Sequence, residues 1–268
     1  RRAPFRDLAS QINPAVGKVM AETSYGNLSL DDFLASPRSF VQGFIVVHHG
    51  KVVFESYPGM KPADSHLWAS CAKPLVGIIL EQLIDEGLLD PHKTYGDYMP
   101  DFRGTAWEKV PVIDIMNMAS GLDVLENDQT RGDPTSIATR LFISEFGQPD
   151  PVTHKVETTR DILKAATKQI EPGQRFDYAS ANTQSLVLLV EQITQKRFAT
   201  VLDERVLSHV ALAGDLQMHL SGADRLALSH GIVSSPLRDL AIFGMLFTPS
   251  WNKVSDKQVV SAAALERI

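Results

Sequence analysis

The sequence predicts an α+β protein in which a small antiparallel sheet is flanked by helices and interrupted by a mostly helical insertion. Three observations carry this expectation. Residues 43–57, GFIVVHHGKVVFESY, are two β-branched and aromatic runs joined at His49-Gly50, a hairpin signature. Residues 75–89 place apolar side chains all around a helical projection, as a helix buried on most sides requires. Helical patterning then dominates until SSPLRDLAIFGMLF at 234–247. The order strand, strand, buried helix, helical middle, helix suggests three segments: 1–90 with the hairpin and buried helix, 91–212 mostly helical, and 213–268 returning to the α/β layer.

Each element follows from its residues. The two hairpin strands should lie side by side, with His48 and His49 on opposite faces and so poorly placed to share one metal ion. Gly87 and Asp90-Pro91 end the buried helix. Residues 91–110 read as loop, with YGDYMPDFRG as a turn cluster, and VPVIDIMNMASGL as a short helix broken at Ser120-Gly121. Residues 123–156 are polar and mixed, with Phe142 to Phe146 as an apolar island. A helix is expected at 158–169, then an EPGQRFDY turn, an amphipathic helix from about Asn182 to Gln195, and another helix near 199–211. The last helix should run from Pro236 to Phe247, capped by Ser234 or Ser235.

Composition limits the functional classes. A chain of 268 residues, 44% hydrophobic and 22% charged, can bury a sizeable core. Its net charge of -6, with both signs interspersed, provides no basic stripe for phosphates, so nucleic acid is not an expected partner. Charges interrupt every apolar run too early for a membrane span. The one cysteine, Cys71, excludes an internal disulfide, and packing in the interior is its expected role. No H-E-x-x-H or paired cysteines suggest a metal, and neither G-x-S-x-G nor G-x-G-x-x-G is present, so no cofactor is expected. The chain begins at Arg1 rather than Met, which fits a removed export signal as well as a cytoplasmic protein; the compartment stays unassigned.

Chemistry is suggested first by Ser70 and Lys73. With 21 serines and 12 lysines, chance alone yields roughly one Ser-x-x-Lys, and the chain has two, at Ser70-Lys73 and Ser250-Lys253. Only the first opens an apolar helix. Three residues apart is about one helical turn, so the Lys73 amine can lie beside the Ser70 hydroxyl and accept its proton. The alternative is that Ser70 caps the helix while Lys73 extends to solvent. Lys73 also precedes Pro74, which is tolerable only if the helix starts there. Tyr178, in the turn before the 182–195 helix, could share proton transfer with a nearby lysine, and Ser180 could supply a polar contact. Their plainer reading is a packing aromatic and a helix cap. His230 is expected to be structural, or to sit at a pocket rim.

Four ordered motifs go further: the Ser-x-x-Lys helix after a hairpin, MASGLD at 118–123, PGQRFDYAS at 172–180 and HGIVSSPLRDLAIFG at 230–244. In this order they resemble the serine hydrolases of the β-lactamase and penicillin-binding-protein superfamily, nearest its branch of class C β-lactamases, esterases and 6-aminohexanoate-dimer hydrolases. The resemblance covers roughly three-quarters of the chain. It implies Ser70 as nucleophile, Lys73 as its proton acceptor, Tyr178 as general acid/base, Ser180 as a substrate contact, and the Ser70 amide as half of an oxyanion hole. The implied substrates are small carboxylic esters or linear amides; β-lactam or D-alanyl peptide cleavage and an inactive binding or scaffold protein are the alternatives. Ser180 stands where β-lactamases usually carry asparagine, which favours the aminohexanoate-hydrolase and esterase side. The family's Lys/His-Thr/Ser-Gly strand has no match after Phe247, and HLSG at 219–222 comes too early for it. A C-terminal segment following Ile268, or a separate chain, is therefore expected to complete the fold.

Overall fold

The computed structural model describes residues 8–268, so the first residues of the expected 1–90 segment lie outside it. It is α+β, with many helices and antiparallel pairing spread over three small sheets. The chain forms two compact units, one comprising the chain up to Leu67 with Val206–Gln217 and Ser234–Val260, the other Trp68–Arg205, Met218–Val233 and Ser261–Ile268.

In the first unit, Phe44–His48 pairs antiparallel with Lys51–Ser56, from Phe44 opposite Ser56 to His48 opposite Lys51. His49 (φ 49°) and Gly50 (φ 77°) form the two-residue turn with both φ positive, the backbone that matches strand twist. That turn overturns the expectation for the histidines. Strand alternation ends at His48, and the His48 and His49 rings lie 3.9 Å apart, centroid to centroid. Among the described residues, no group of three or more His, Cys, Asp or Glu could hold a metal ion. Against the first hairpin strand packs Leu237–Met245, tied to the second strand by Arg238 on Glu55 at 2.6 and 3.1 Å. Its N-cap is Pro236, because Ser234 and Ser235, expected as caps, are strand residues paired with Leu67 and His66. A further hairpin, Met20–Thr23 with Gly26–Ser29, was not apparent in the sequence. Its solvent-exposed residues lack the apolar alternation of a half-buried strand.

The second unit is built around Ser180–Thr194, whose residues from Ala181 to Val190 are all buried. The amphipathic helix expected here is instead a central one. Pro74–Asp85, Val112–Met116, Ile137–Glu145, Thr159–Lys164 and Phe198–Arg205 pack around it. Within it, Gln184 Nε2 donates to the Ala227 carbonyl and Ser185 Oγ to that of Asn182. The Pro74–Asp85 helix buries Leu75, Val76, Ile78, Ile79, Leu80 and Leu83, each about 1.5–3 kcal/mol of apolar transfer. It ends in a Schellman turn, with Gly87 (φ 69°) bonding to Ile84 O and Leu88 to Leu83 O. The loop read at 91–110 is a core anchor rather than a surface connection. Tyr95, Phe102 and Trp107 are fully buried, with Tyr95 Oη donating to Ser185 O and Trp107 Nε1 to Leu163 O. The mixed 123–156 stretch contains two helices, Asp128–Gly132 and Ile137–Glu145, started by the Asn127 and Ser136 caps.

Candidate active site

All residues of the candidate site belong to the second unit. The chain enters on Trp68, whose amide bonds to Val233 O, and turns at Ala69 in the left-handed region (φ 47°). Ala69–Ala72 is a 3-10 turn, so Ser70 sits one tight turn ahead of the α-helix rather than inside it. Lys73 keeps helical angles (φ -56°, ψ -39°) despite the following proline. Its amide bonds to Ser70 O, and its own carbonyl accepts from Val76 and Gly77, while Pro74 occupies the first helical position, where no N–H is needed. The tighter turn also changes the fate of Cys71. Expected in the interior, it is exposed.

Tyr178 is aimed by a braced turn. The amides of Asp177 and Gly173 bond to the carbonyls of Met118 and Ala119, and those of Gln169 and Ile170 to that of Gly121. Gly121 (φ 73°) is required here, because a Cβ would lie 2.6 Å from Ile170 O. MASGLD and PGQRFDYAS are therefore two sides of one support. Arg175 adds a two-pronged bond to Asp177, 2.7 Å on each side.

The four residues singled out from the sequence meet. Tyr178 Oη lies 2.5 Å from Ser70 Oγ, and Lys73 Nζ lies 3.1 Å from it on another side. Lys73 Nζ also donates to the His230 carbonyl at 2.7 Å, contacts Ser180 Oγ at 3.4 Å, and sits 4.9 Å from the centre of the Tyr178 ring. Ser70 is exposed while Lys73, Tyr178 and Ser180 are half-buried, so the hydroxyl is reachable and its partners are held. The second Ser-x-x-Lys does none of this. Ser250 precedes a 3-10 turn, Trp251–Lys253, and Lys253 is exposed.

Glu126, Arg131 and the backbone role of His230 escaped the sequence reading. His230 contributes its backbone carbonyl to Lys73, and its Nε2 lies 2.8 Å from Glu145 Oε1 in the interior. Glu126 accepts from Ser180 Oγ (2.7 Å) and Ser180 N (3.1 Å), and its own amide bonds to Tyr178 O. Arg131 Nη2 holds the other Glu126 oxygen at 3.0 Å. Burial works to raise the Glu126 carboxyl, but the Ser180 and Arg131 hydrogen bonds and the nearby Lys73 charge outweigh it and hold the group below the usual carboxylate range. A carbonyl contact leaves no trace in residue identity, and Glu126 and Arg131 lie in the polar stretch that showed no period. The one available signal was Glu126 immediately before the Asn127 helix cap, too short to stand out.

A serine flanked by lysine and tyrosine at the head of a buried helix, in an α+β scaffold with a helical insertion, defines the class of β-lactamase-like folds. The chain belongs to the beta-lactamase family, whose sequence model matches residues 38–266. It is 28% identical over 204 residues to a 6-aminohexanoate-dimer hydrolase of Paenarthrobacter ureafaciens, a match covering 76% of this chain and 50% of that protein. The chain thus spans half the length of this curated relative. A Bacillus anthracis protein provisionally described as a 6-aminohexanoate-dimer hydrolase superposes with a TM-score of 0.82 at 21% identity, over 98% of this chain and 67% of that one. A class C beta-lactamase from Rhodobacter sphaeroides superposes with a TM-score of 0.56 at 14% identity, over 84% and 64%. The expected superfamily is borne out, and the two superpositions speak for the fold.

Proposed function

We propose that the protein is a serine hydrolase that cleaves small carboxylic esters or linear amides through an acyl-enzyme on Ser70. The observation that carries this reading is the convergence of Lys73 Nζ and Tyr178 Oη on the Ser70 hydroxyl. Ser70 Oγ attacks the substrate carbonyl carbon while its proton passes to Lys73. The resulting oxyanion lies toward the Ser70 amide at the head of the helix. When the bond to the leaving nitrogen or oxygen breaks, Tyr178 supplies the proton that atom needs and is reprotonated from Lys73. Water then attacks the acyl carbon, with its proton taken by the same pair, and Ser70 is regenerated. Ser180 has spent its one proton on Glu126, so toward substrate it only accepts, which suits the N–H of an amide. The amidase relative supports the same choice.

A fluorophosphonate probe tests the proposal. Labelling of the wild type that is lost in both Ser70→Ala and Lys73→Ala is the expected result; an unlabelled wild type would overturn it. Turnover of butyryl esters and linear amides faster than a chromogenic cephalosporin is expected, and the reverse order would move the reading to β-lactam hydrolysis.

A further inference from the structure

Lys73 Nζ has three positions for protons or its lone pair besides the bond to its own carbon. One faces the His230 carbonyl, which can only accept, so a proton of Lys73 is committed there. A second faces Ser180 Oγ. Ser180 owns a single proton, and that proton is held by Glu126 Oε2, a carboxylate oxygen that can only accept. Toward Lys73, Ser180 therefore accepts as well. With two positions committed as donors, the third is the one that faces Ser70 Oγ, and in the neutral amine it is the lone pair.

We infer that Glu126 is a positioning residue: by holding the Ser180 proton it fixes the direction of the hydrogen bonds around Lys73 and keeps the lysine lone pair on Ser70. This rests on the proposed roles of Ser70 and Lys73. Without Glu126 the Ser180 hydroxyl is free to rotate and donate its proton to the Lys73 lone pair, in competition with Ser70. Glu126 is itself well held, with Arg131 on its other oxygen and its amide on Tyr178 O. It thus grips both ends of the Tyr178-Ala179-Ser180 segment. The charged and titratable groups around Lys73 are Glu126 and its partner Arg131, Tyr178, and the His230–Glu145 pair behind the carbonyl. Arg131 pairs with the Glu126 oxygen that does not face Ser180 and so partly offsets the carboxylate charge.

Near-isosteric Glu126→Gln separates direction from bulk. Arg131 attracts the amide oxygen, which turns the amide NH2 toward Ser180. Ser180 must then accept from the glutamine and donate to Lys73, reversing the bond. The rate of Ser70 labelling by a fluorophosphonate is expected to fall about tenfold or more in Glu126→Gln, Glu126→Ala and Ser180→Ala. On an ester substrate the loss should appear in kcat rather than KM. Adding Glu126→Ala to Ser180→Ala should cause no further loss, because Glu126 acts through Ser180. A Glu126→Gln rate within about twofold of wild type, or single losses that multiply in the double variant, overturns the inference. Glu126→Gln also serves if Glu126→Ala fails to fold. A wild type not labelled at Ser70 refutes the proposed function instead, so the two failures are distinct.

Discussion

Tyr178 Oη and Ser70 Oγ, 108 positions apart in sequence, are held 2.5 Å from each other. The contact depends on two independent supports, the 3-10 turn that presents Ser70 and the braced turn that presents Tyr178. If the phenol carries the leaving-group proton, Tyr178→Phe should lower kcat by about 10²–10⁴-fold. Circular dichroism and thermal melting should stay close to wild type, since the ring is retained. A variant with unchanged kcat would remove Tyr178 from the mechanism.

Gly121 offers a test of the support itself. Its φ of 73°, and the 2.6 Å that would separate an alanine Cβ from Ile170 O, leave no room for a side chain. Gly121→Ala should lose more than about 1 kcal/mol of stability, and activity should fall beyond what the unfolded fraction explains, because the Tyr178 turn shifts. Denaturant unfolding together with kcat at low temperature measures both.

The second Ser-x-x-Lys is a natural control. Ser250→Ala and Lys253→Ala touch an exposed 3-10 turn in the other unit, so probe labelling and ester turnover should match wild type. A loss comparable to that of Ser70→Ala would mean that the wrong pair has been chosen.

Glu126 predicts a pH dependence of stability. Its folded-state pKa lies below the ordinary carboxylate value, so its stabilising contribution is fully present above that ordinary value and is lost as pH falls through the depressed one. Between about pH 6 and pH 3 the wild type should therefore lose more thermal stability than Glu126→Gln. Parallel melting curves across that range would show that the carboxylate gains nothing from its partners on folding.

Trp107 tests the core beneath the site. It is fully buried, 5.6 Å from the Tyr95 ring centre, and donates to Leu163 O. Trp107→Ala should cost about 3–5 kcal/mol in chemical denaturation. A loss below about 1 kcal/mol would place this residue outside the cooperative core.

Much of this was legible locally. The Phe44–Ser56 hairpin follows from β-branched runs around a His-Gly turn, and the helix from Pro74 follows from an apolar run ended by Gly87. Both signals depend on neighbours within one turn or one strand pair. The expectations that failed share the opposite character. The Ala181–Val190 stretch looked half-polar, yet Asn182, Gln184 and Ser185 are interior, where distant residues meet them: the Ala227 carbonyl accepts from Gln184 Nε2, Met118 Sδ from Asn182 Nδ2, and Tyr95 Oη donates to the Ser185 carbonyl. Tyr95, Phe102 and Trp107 sit among turn residues, and only packing made them core. Cys71 was placed by assuming an α-helix where the backbone takes a tighter turn.

By itself the sequence determined the hairpin, the buried helix, the candidate quartet Ser70, Lys73, Tyr178 and Ser180, and the family they point to, because residue type and spacing encode those directly. Tertiary structure alone decided that Glu126, Arg131 and the His230 carbonyl surround that quartet. Hydrogen-bond direction at Lys73 depends on atoms brought together from positions 126, 180 and 230, and no periodicity along the chain reports a meeting of that kind.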